Sequence, residues 1–303
     1  MRWQGRRGSD NVVDKTKSGK AAGKKPRSPA KERSKKGVAS AGLGTLLLTG
    51  LLMAFGFSGS EVETLLDDST AADVRATAQP TPALGDPANE DQSKQFVSVV
   101  LADTEEVWRD LFAERGLEYT DARLVLFEGK VRTGCGRANA STGPFYCPAD
   151  EKVYLDLSFF DELSQDLGAP GDFAQAYIIG HEIGHHVQNL TGVLAEVEKK
   201  QRRRSEKFRN ELDVRCELQA DYYAGVWAHH AQKRFKILEE GDIEEALDAA
   251  SAIGDDTLQK AEQGYVQPDT FTHGTSKQRA RWFKKGFQRG DWKGGDTFGA
   301  KRL

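Results

Sequence analysis

Three cysteines in 303 residues, none of them at C-x2–4-C spacing, leave no thiolate zinc module to be read from the chain. No stretch recurs at a fixed period, which excludes a stacked-repeat architecture. Net charge is equally scarce, only −3, but that small value conceals an asymmetry. Residues 1–37 hold 13 Lys/Arg against 3 Asp/Glu, a local +10, while the remainder holds 30 against 43, a local −13. A basic arm joined to an acidic body calls for a separate account of each. The arm has few large apolar side chains among its Gly, Ser, Pro and Lys, too few to offset its ordering entropy, so disorder is expected over 1–37.

Long uncharged runs are also rare. One stands out: Val38–Phe57, VASAGLGTLLLTGLLMAFGF, twenty residues without a charge. A helix of that length can cross a hydrocarbon core of about 30 Å. The basic arm precedes it and the next charge is Glu61, so the positive-inside rule predicts a cytoplasmic arm. Everything after Phe57 is then translocated to the far side of the membrane, a periplasm or the cell exterior. A cleavable signal peptide is the competing reading, although its apolar core is usually shorter. Anionic headgroups and topology account for the arm, so no nucleic-acid partner is expected. Residues 58–92, rich in Ala, Asp, Pro, Thr and Ser, read as a flexible tether.

The body is predicted over 93–303. FVSVVLADTEEVWRDLFAERG has helical apolar spacing and ends at Gly116. RLVLFEG and KVYLDLSFF read as strands. Between them lies a Gly/Ser/Thr/Pro-rich loop flanked by Cys135 and Cys147, where a disulfide would constrain a flexible segment and paired zinc ligands are the rival reading. Cys216, in a helical run, reads as a buried free thiol. Charged and apolar helices then follow to a Gly-rich tail. The fold class expected is α+β: a helix-dominated domain with a small early sheet, preceded by one transmembrane helix.

Within the apolar run from Phe173 to Val187 stands His181-Glu182-x-x-His185. On a helix, residues 181 and 185 lie one turn apart on one face, so two imidazoles can converge on one ion. Glu182 sits about 100° around the helix, within reach of a water on that ion. A core helix with satisfied histidines would need no further ligand downstream. Here Glu217-Leu-Gln-Ala-Asp221 follows, offering a third ligand in Glu217 and, one turn on, an acceptor in Asp221 for a ligand imidazole's outer N–H. Asp213 shares this spacing as a fallback ligand. Gly180, Gly184, Ala220 and Gly225 are small enough to let two helices approach closely. His186, one residue off the face, reads as a neighbour, and His229 and His230 as residues near a helix end.

HExxH followed by ExxxD resembles the gluzincin pattern. The segments MRWQGRRGSDNV, GPFYCPAD…VYLDLSFF, GHEIGHHVQ, ELQADYYAGVWA and HGTSKQRARWF extend the likeness along nearly the whole chain, to the YpfJ-like family of bacterial neutral zinc metallopeptidases. The resemblance implies a zincin-like domain that cleaves a protein or peptide substrate. It implies one Zn2+ held by His181, His185 and Glu217, with Glu182 as general base. His273, followed six residues later by Arg279, resembles a segment of CAAX prenyl protease and HtpX-type relatives in which such a histidine lies at the active site. It is the candidate oxyanion donor; a loop or cap role for His273, or donation from Tyr222, Tyr223 or Tyr265, stays open. Strand Lys152–Leu157, shortly before the site helix, is the candidate cradle for an extended substrate. The competing function is a membrane-tethered, zinc-stabilised binding module without catalysis, for which an acid beside an open ligand position would have no use.

Overall fold

A computed structural model of the chain describes residues 1–16 and 90–303. Within them, β2 (Arg123–Phe127) and β6 (Lys152–Asp156) run parallel at the centre of a four-stranded sheet. Strand β1 (Val12–Asp14) flanks β2 in parallel, and β5 (Phe145–Cys147) closes the other edge antiparallel to β6. The strand order is β1-β2-β6-β5. A separate hairpin pairs β3 (Lys130–Thr133) with β4 (Gly136–Asn139). The central strands are buried on both faces rather than alternating, as a covered parallel sheet requires. Leu124 and Leu126 face the helical core, whereas Val125 and Phe127 pack with Val131, Cys147 and Tyr154 beneath the hairpin. The expected disulfide is present: Cys135, at the hairpin turn, is joined to Cys147 on β5, and Cys216 is the buried free thiol.

The helices do most of the packing. They are α1 (Glu90–Ala113), α2 (Ser158–Gln165), α3 (Asp172–Leu190), α4 (Val193–Gln201), α5 (Glu206–Phe235), α6 (Asp242–Ala252), α7 (Asp255–Gln263) and α8 (Ser276–Arg289). The architecture is the expected helix-dominated α+β with a small sheet. One local expectation changes. Residues 158–160, read with the second strand, form the first turn of α2, because the Asp156 carboxylate takes the Ser158 N–H at 3.1 Å and its hydroxyl at 2.9 Å and turns the chain.

The ends of the expected segments also move. Helix α1 opens at Glu90, three residues inside the predicted tether. The predicted transmembrane helix over 38–57 lies outside the described residues, as does the tether up to residue 89. Among the described residues no helix is long and apolar enough to cross a membrane. The arm needs a larger correction, since its first sixteen residues belong to the body. Met1 and Trp3 are 7% and 4% exposed, and Trp3 meets Phe96 edge-on at 5.6 Å. The Met1 ammonium pairs with Asp172 at 2.5 Å. Arg6 grips both oxygens of buried Asp103, at 2.6 and 2.5 Å, and Ser9 and Asn11 donate to Glu105. The physical reason is complementarity rather than composition. Buried acids on α1 and an open edge of β2 provide partners that an average over 37 residues cannot reveal.

Trp3→Ala is expected to lower stability by about 3 kcal/mol or more, in the range for truncating a buried aromatic. Chemical denaturation of the full chain measures it. A change within about 0.5 kcal/mol, the scale of a surface site, would mean that these residues are not packed in solution.

Candidate metal centre

Helix α3 carries His181, Glu182 and His185, and α5 carries Glu217 and Asp221. Their close crossing is set by missing side chains. A Cβ placed on Gly184 would lie 2.8 Å from the Ala220 carbonyl oxygen, and one on Gly180 would lie 2.9 Å from the Trp227 ring. Any larger residue at 184 would push the two helices apart. Gly225 has a different use from the one expected: it opens room for α8, where the backbone of Phe283 and Phe287 approaches it.

The approach brings the ligand groups of three residues together. His181 Nε2 lies 3.1 Å from Glu217 Oε2, His185 Nε2 lies 3.1 Å from His181 Nε2, and His185 Nε2 lies 3.3 Å from Glu217 Oε1. A tetrahedral zinc with bonds of about 2.0–2.1 Å has ligand–ligand edges of about 3.3 Å, so separations of this size suit that ion. These three residues can hold one metal. Their side chains are 7%, 14% and 16% exposed, which leaves the point of convergence near solvent.

Both imidazoles are turned inward by what holds their outer nitrogens. His181 Nδ1 donates to Asp221 Oδ1 at 2.7 Å, as the sequence led one to expect. His185 Nδ1 donates to the Gln188 side-chain oxygen at 2.8 Å. The Gln188 amide is itself fixed, its NH2 donating to the Cys216 carbonyl at 2.7 Å and to Gln219 Oε1 at 3.1 Å. Each Nε2 lone pair therefore points at the shared position.

Asp221 is tied on three sides. It accepts from Tyr177 OH at 2.5 Å, and its other oxygen takes Arg279 Nε at 3.0 Å, while Arg279 Nη2 reaches Oδ1 at 3.0 Å. Arg279 is 2% exposed. It comes from α8, whose start is fixed by a capping box in which Thr275 takes the Gln278 N–H and Gln278 takes the Thr275 N–H.

The electrostatics follow from this placement. Burial would raise Asp221, yet the Arg279 and His181 charges hold its carboxyl down at about 2. Burial would likewise raise Glu217, but His185 and His273 keep it well below the usual carboxylate range. Burial opposes charge on the imidazoles, and the carboxylates outweigh it: Asp221 raises His181, and Glu217 raises His185 well above the ordinary value. The chain has thus built a field that favours positive charge at the convergence point, by protons in the metal-free state and by a divalent cation in their place.

Glu182 is 7% exposed, and among the described residues its carboxylate has no hydrogen-bond partner. Its charge nevertheless acts on His185. His273 is held by Asp255, which takes its backbone N–H at 2.7 Å and faces Nδ1 at 3.2 Å. Burial would lower His273, but Glu217 and then Asp255 raise it, so the side chain is near enough to the cluster to feel the Glu217 charge. Asp213, the fallback ligand, accepts instead from Gln201 at 2.5 Å. His186 contacts the Tyr146 hydroxyl and donates to the Thr120 carbonyl, away from the cluster. His229 and His230 bond the Phe287 and Gly290 carbonyls. Tyr222 donates to the Asp291 carbonyl, Tyr223 accepts from Trp292, and Tyr265 is 57% exposed. Sequence reasoning missed Gln188, Tyr177, Asp255 and the tie between Arg279 and Asp221. The i, i+3 spacing of Gln188 from His185 was the one local signal available.

The helical body presents the two histidines of HExxH and a distant glutamate to one point, a donor set able to hold a metal ion. Residues 1–298 match the family described as "Putative neutral zinc metallopeptidase", and the chain belongs to that family. It is 46% identical over 299 residues to the uncharacterized protein YpfJ of Escherichia coli strain K12, covering 99% of each chain. It is 42% identical over 207 residues to the uncharacterized protein Rv2575 of Mycobacterium tuberculosis strain H37Rv, covering 65% of this chain and 68% of the relative. No solved structure matches it.

Gln188→Leu is expected to weaken zinc affinity by about 10–100-fold, the usual effect of removing a group that orients a ligand imidazole. Competition with a chromophoric chelator measures it, and an unchanged affinity would deny Gln188 that role. Asp221→Asn leaves the buried Arg279 charge unpaired and is expected to cost about 3–5 kcal/mol in the metal-free chain at pH 7. Since the folded pKa of Asp221, about 2, lies below an unfolded value near ~3.9, its contribution is present above that value and lost as pH falls toward 2. The acid limb of the stability profile should accordingly be shallower in Asp221→Asn.

Proposed function

We propose that the chain hydrolyses peptide bonds with one zinc ion held by His181, His185 and Glu217. The observation that carries this reading is the convergence of His181, His185 and Glu217 within 3.1–3.3 Å of one another, with the Glu182 carboxylate close enough for its charge to act on His185 and without a hydrogen-bond partner among the described residues. Zinc held by these three residues would supply Lewis acidity for the attack of water on the carbonyl. Glu182 accepts the proton of the attacking water and passes it to the departing amine. His273, whose Nδ1 is engaged by Asp255 and whose protonated form is favoured there, donates to the oxygen that gains charge as the carbonyl is attacked. Asp221 and Gln188 keep the imidazoles aimed, and Arg279 keeps Asp221 in place.

The strand expected to cradle the substrate is largely covered. Strand β6 pairs with β2 from Lys152 to Asp156 and with β5 from Lys152 to Tyr154, so its edge is open only past Tyr154 on the β5 side. The sheet edge beside the site helix is β5, whose Tyr146 hydroxyl meets His186 of α3 at 3.0 Å. An extended substrate is better placed along Phe145–Cys147, where main-chain pairing would hold it.

The full chain, purified without chelator, is expected to carry one zinc and to degrade an unfolded protein in a chelator-sensitive manner. Glu182→Gln should keep the metal and turn over about 10²–10⁴-fold more slowly. Equal, chelator-insensitive turnover by both proteins would eliminate the mechanism, and full metal occupancy with no turnover by the wild type would favour the binding-module reading. His273→Ala is expected to lower kcat by about 10²–10³-fold with metal content retained. An unchanged kcat would remove His273 from the site.

A further inference from the structure

The sequence alone sets residues 1–37 and 93–303 on opposite sides of a bilayer. The fold joins them. Val12, Val13 and Asp14 lie in register with Leu124, Val125 and Leu126, and the Lys15 N–H continues the ladder to the Leu126 carbonyl at 2.9 Å. Ser9 and Ser98 exchange two bonds, at 2.9 and 3.0 Å. Trp3 is sealed against Phe96, and Arg6 closes on Asp103.

The two borders of residues 17–89 also meet. Lys94 Nζ donates to Asp14 Oδ2 at 2.7 Å and to Thr16 Oγ1 at 2.9 Å, and the Thr16 hydroxyl donates to Glu90 Oε1 at 3.3 Å. Thr16 and Glu90, the described residues on either side of 17–89, thus lie side by side. A hydrocarbon layer of about 30 Å cannot separate groups in hydrogen-bond contact. Nor can a chain that crosses a bilayer once present both flanks to one sheet.

We infer that residues 1–16 and 90–303 occupy one compartment, so that the protein does not have a single-pass topology. This inference is independent of the zinc reading. It brings two sequence cues into conflict. The positive-inside rule holds the Lys/Arg-rich arm in the cytoplasm, whereas the Cys135–Cys147 disulfide belongs in an oxidising compartment. With both flanks in one body, only one of these cues can set the location.

Single-cysteine reporters in the full chain, expressed in a bacterial host, test the inference. Arg7→Cys reports on the first flank and Glu198→Cys on the second; the native side chains are 84% and 71% exposed. A membrane-impermeant maleimide is applied to intact spheroplasts and to inverted vesicles. Labelling is measured above that of the unsubstituted chain, because Cys135 and Cys147 react when reduced. Both reporters are expected to label in the same preparation and to be protected in the other, with at least a several-fold contrast. Labelling of both in a soluble fraction supports the inference equally, since no bilayer then divides the chain. Opposite sidedness of the two reporters overturns it. Asp10→Cys and Glu196→Cys, at side chains 96% and 62% exposed, provide a second pair should either of the first accumulate poorly.

Discussion

The carboxylate of Asp221 is the point on which the rest of the site depends. It has no exposure to solvent, and an isolated charge there would be strongly unfavourable. The fold meets that cost by surrounding it: a phenol and an imidazole from α3 and a guanidinium from α8 all point at an acid on α5. Three helices are locked by one buried ion, and the histidine it orients is one corner of the metal triangle. Removing any partner would disturb both packing and metal geometry, so stability and function are coupled here.

The two histidines are oriented by different chemistries. His181 is backed by a full negative charge, whereas His185 is backed by a neutral amide that is itself clamped by Cys216 and Gln219. With Glu217 already inside the triangle, a second buried acid behind His185 would add desolvation cost and demand another Arg279. An amide oxygen fixes the same tautomer without that demand.

The sheet supports this centre from one side and gathers distant chain. Its order brings the first sixteen residues against β2 and leaves β5 at the edge beside the site helix. Arg6, Ser9 and Asn11 neutralise or satisfy the buried acids Asp103 and Glu105 of α1. A segment whose composition suggests an unstructured arm is thereby a structural part of the body.

What the sequence determined by itself was local. Helical period places His181 with His185 and Glu217 with Asp221, one turn apart on their own helices, and short apolar runs mark β2 and β6. The loop between Cys135 and Cys147 was legible for the same reason, since its ends are close along the chain. Tertiary structure decided everything that depends on the distance between helices. Gly184 against Ala220 sets the crossing that turns two pairs into a triangle, the arrival of Arg279 makes Asp221 tenable, and Gln188 serves His185 only because Cys216 and Gln219 hold its amide. The first sixteen residues escaped for a related reason: their partners in the body are 74 or more positions away, and the energy that orders them lies in those partners rather than in their own composition.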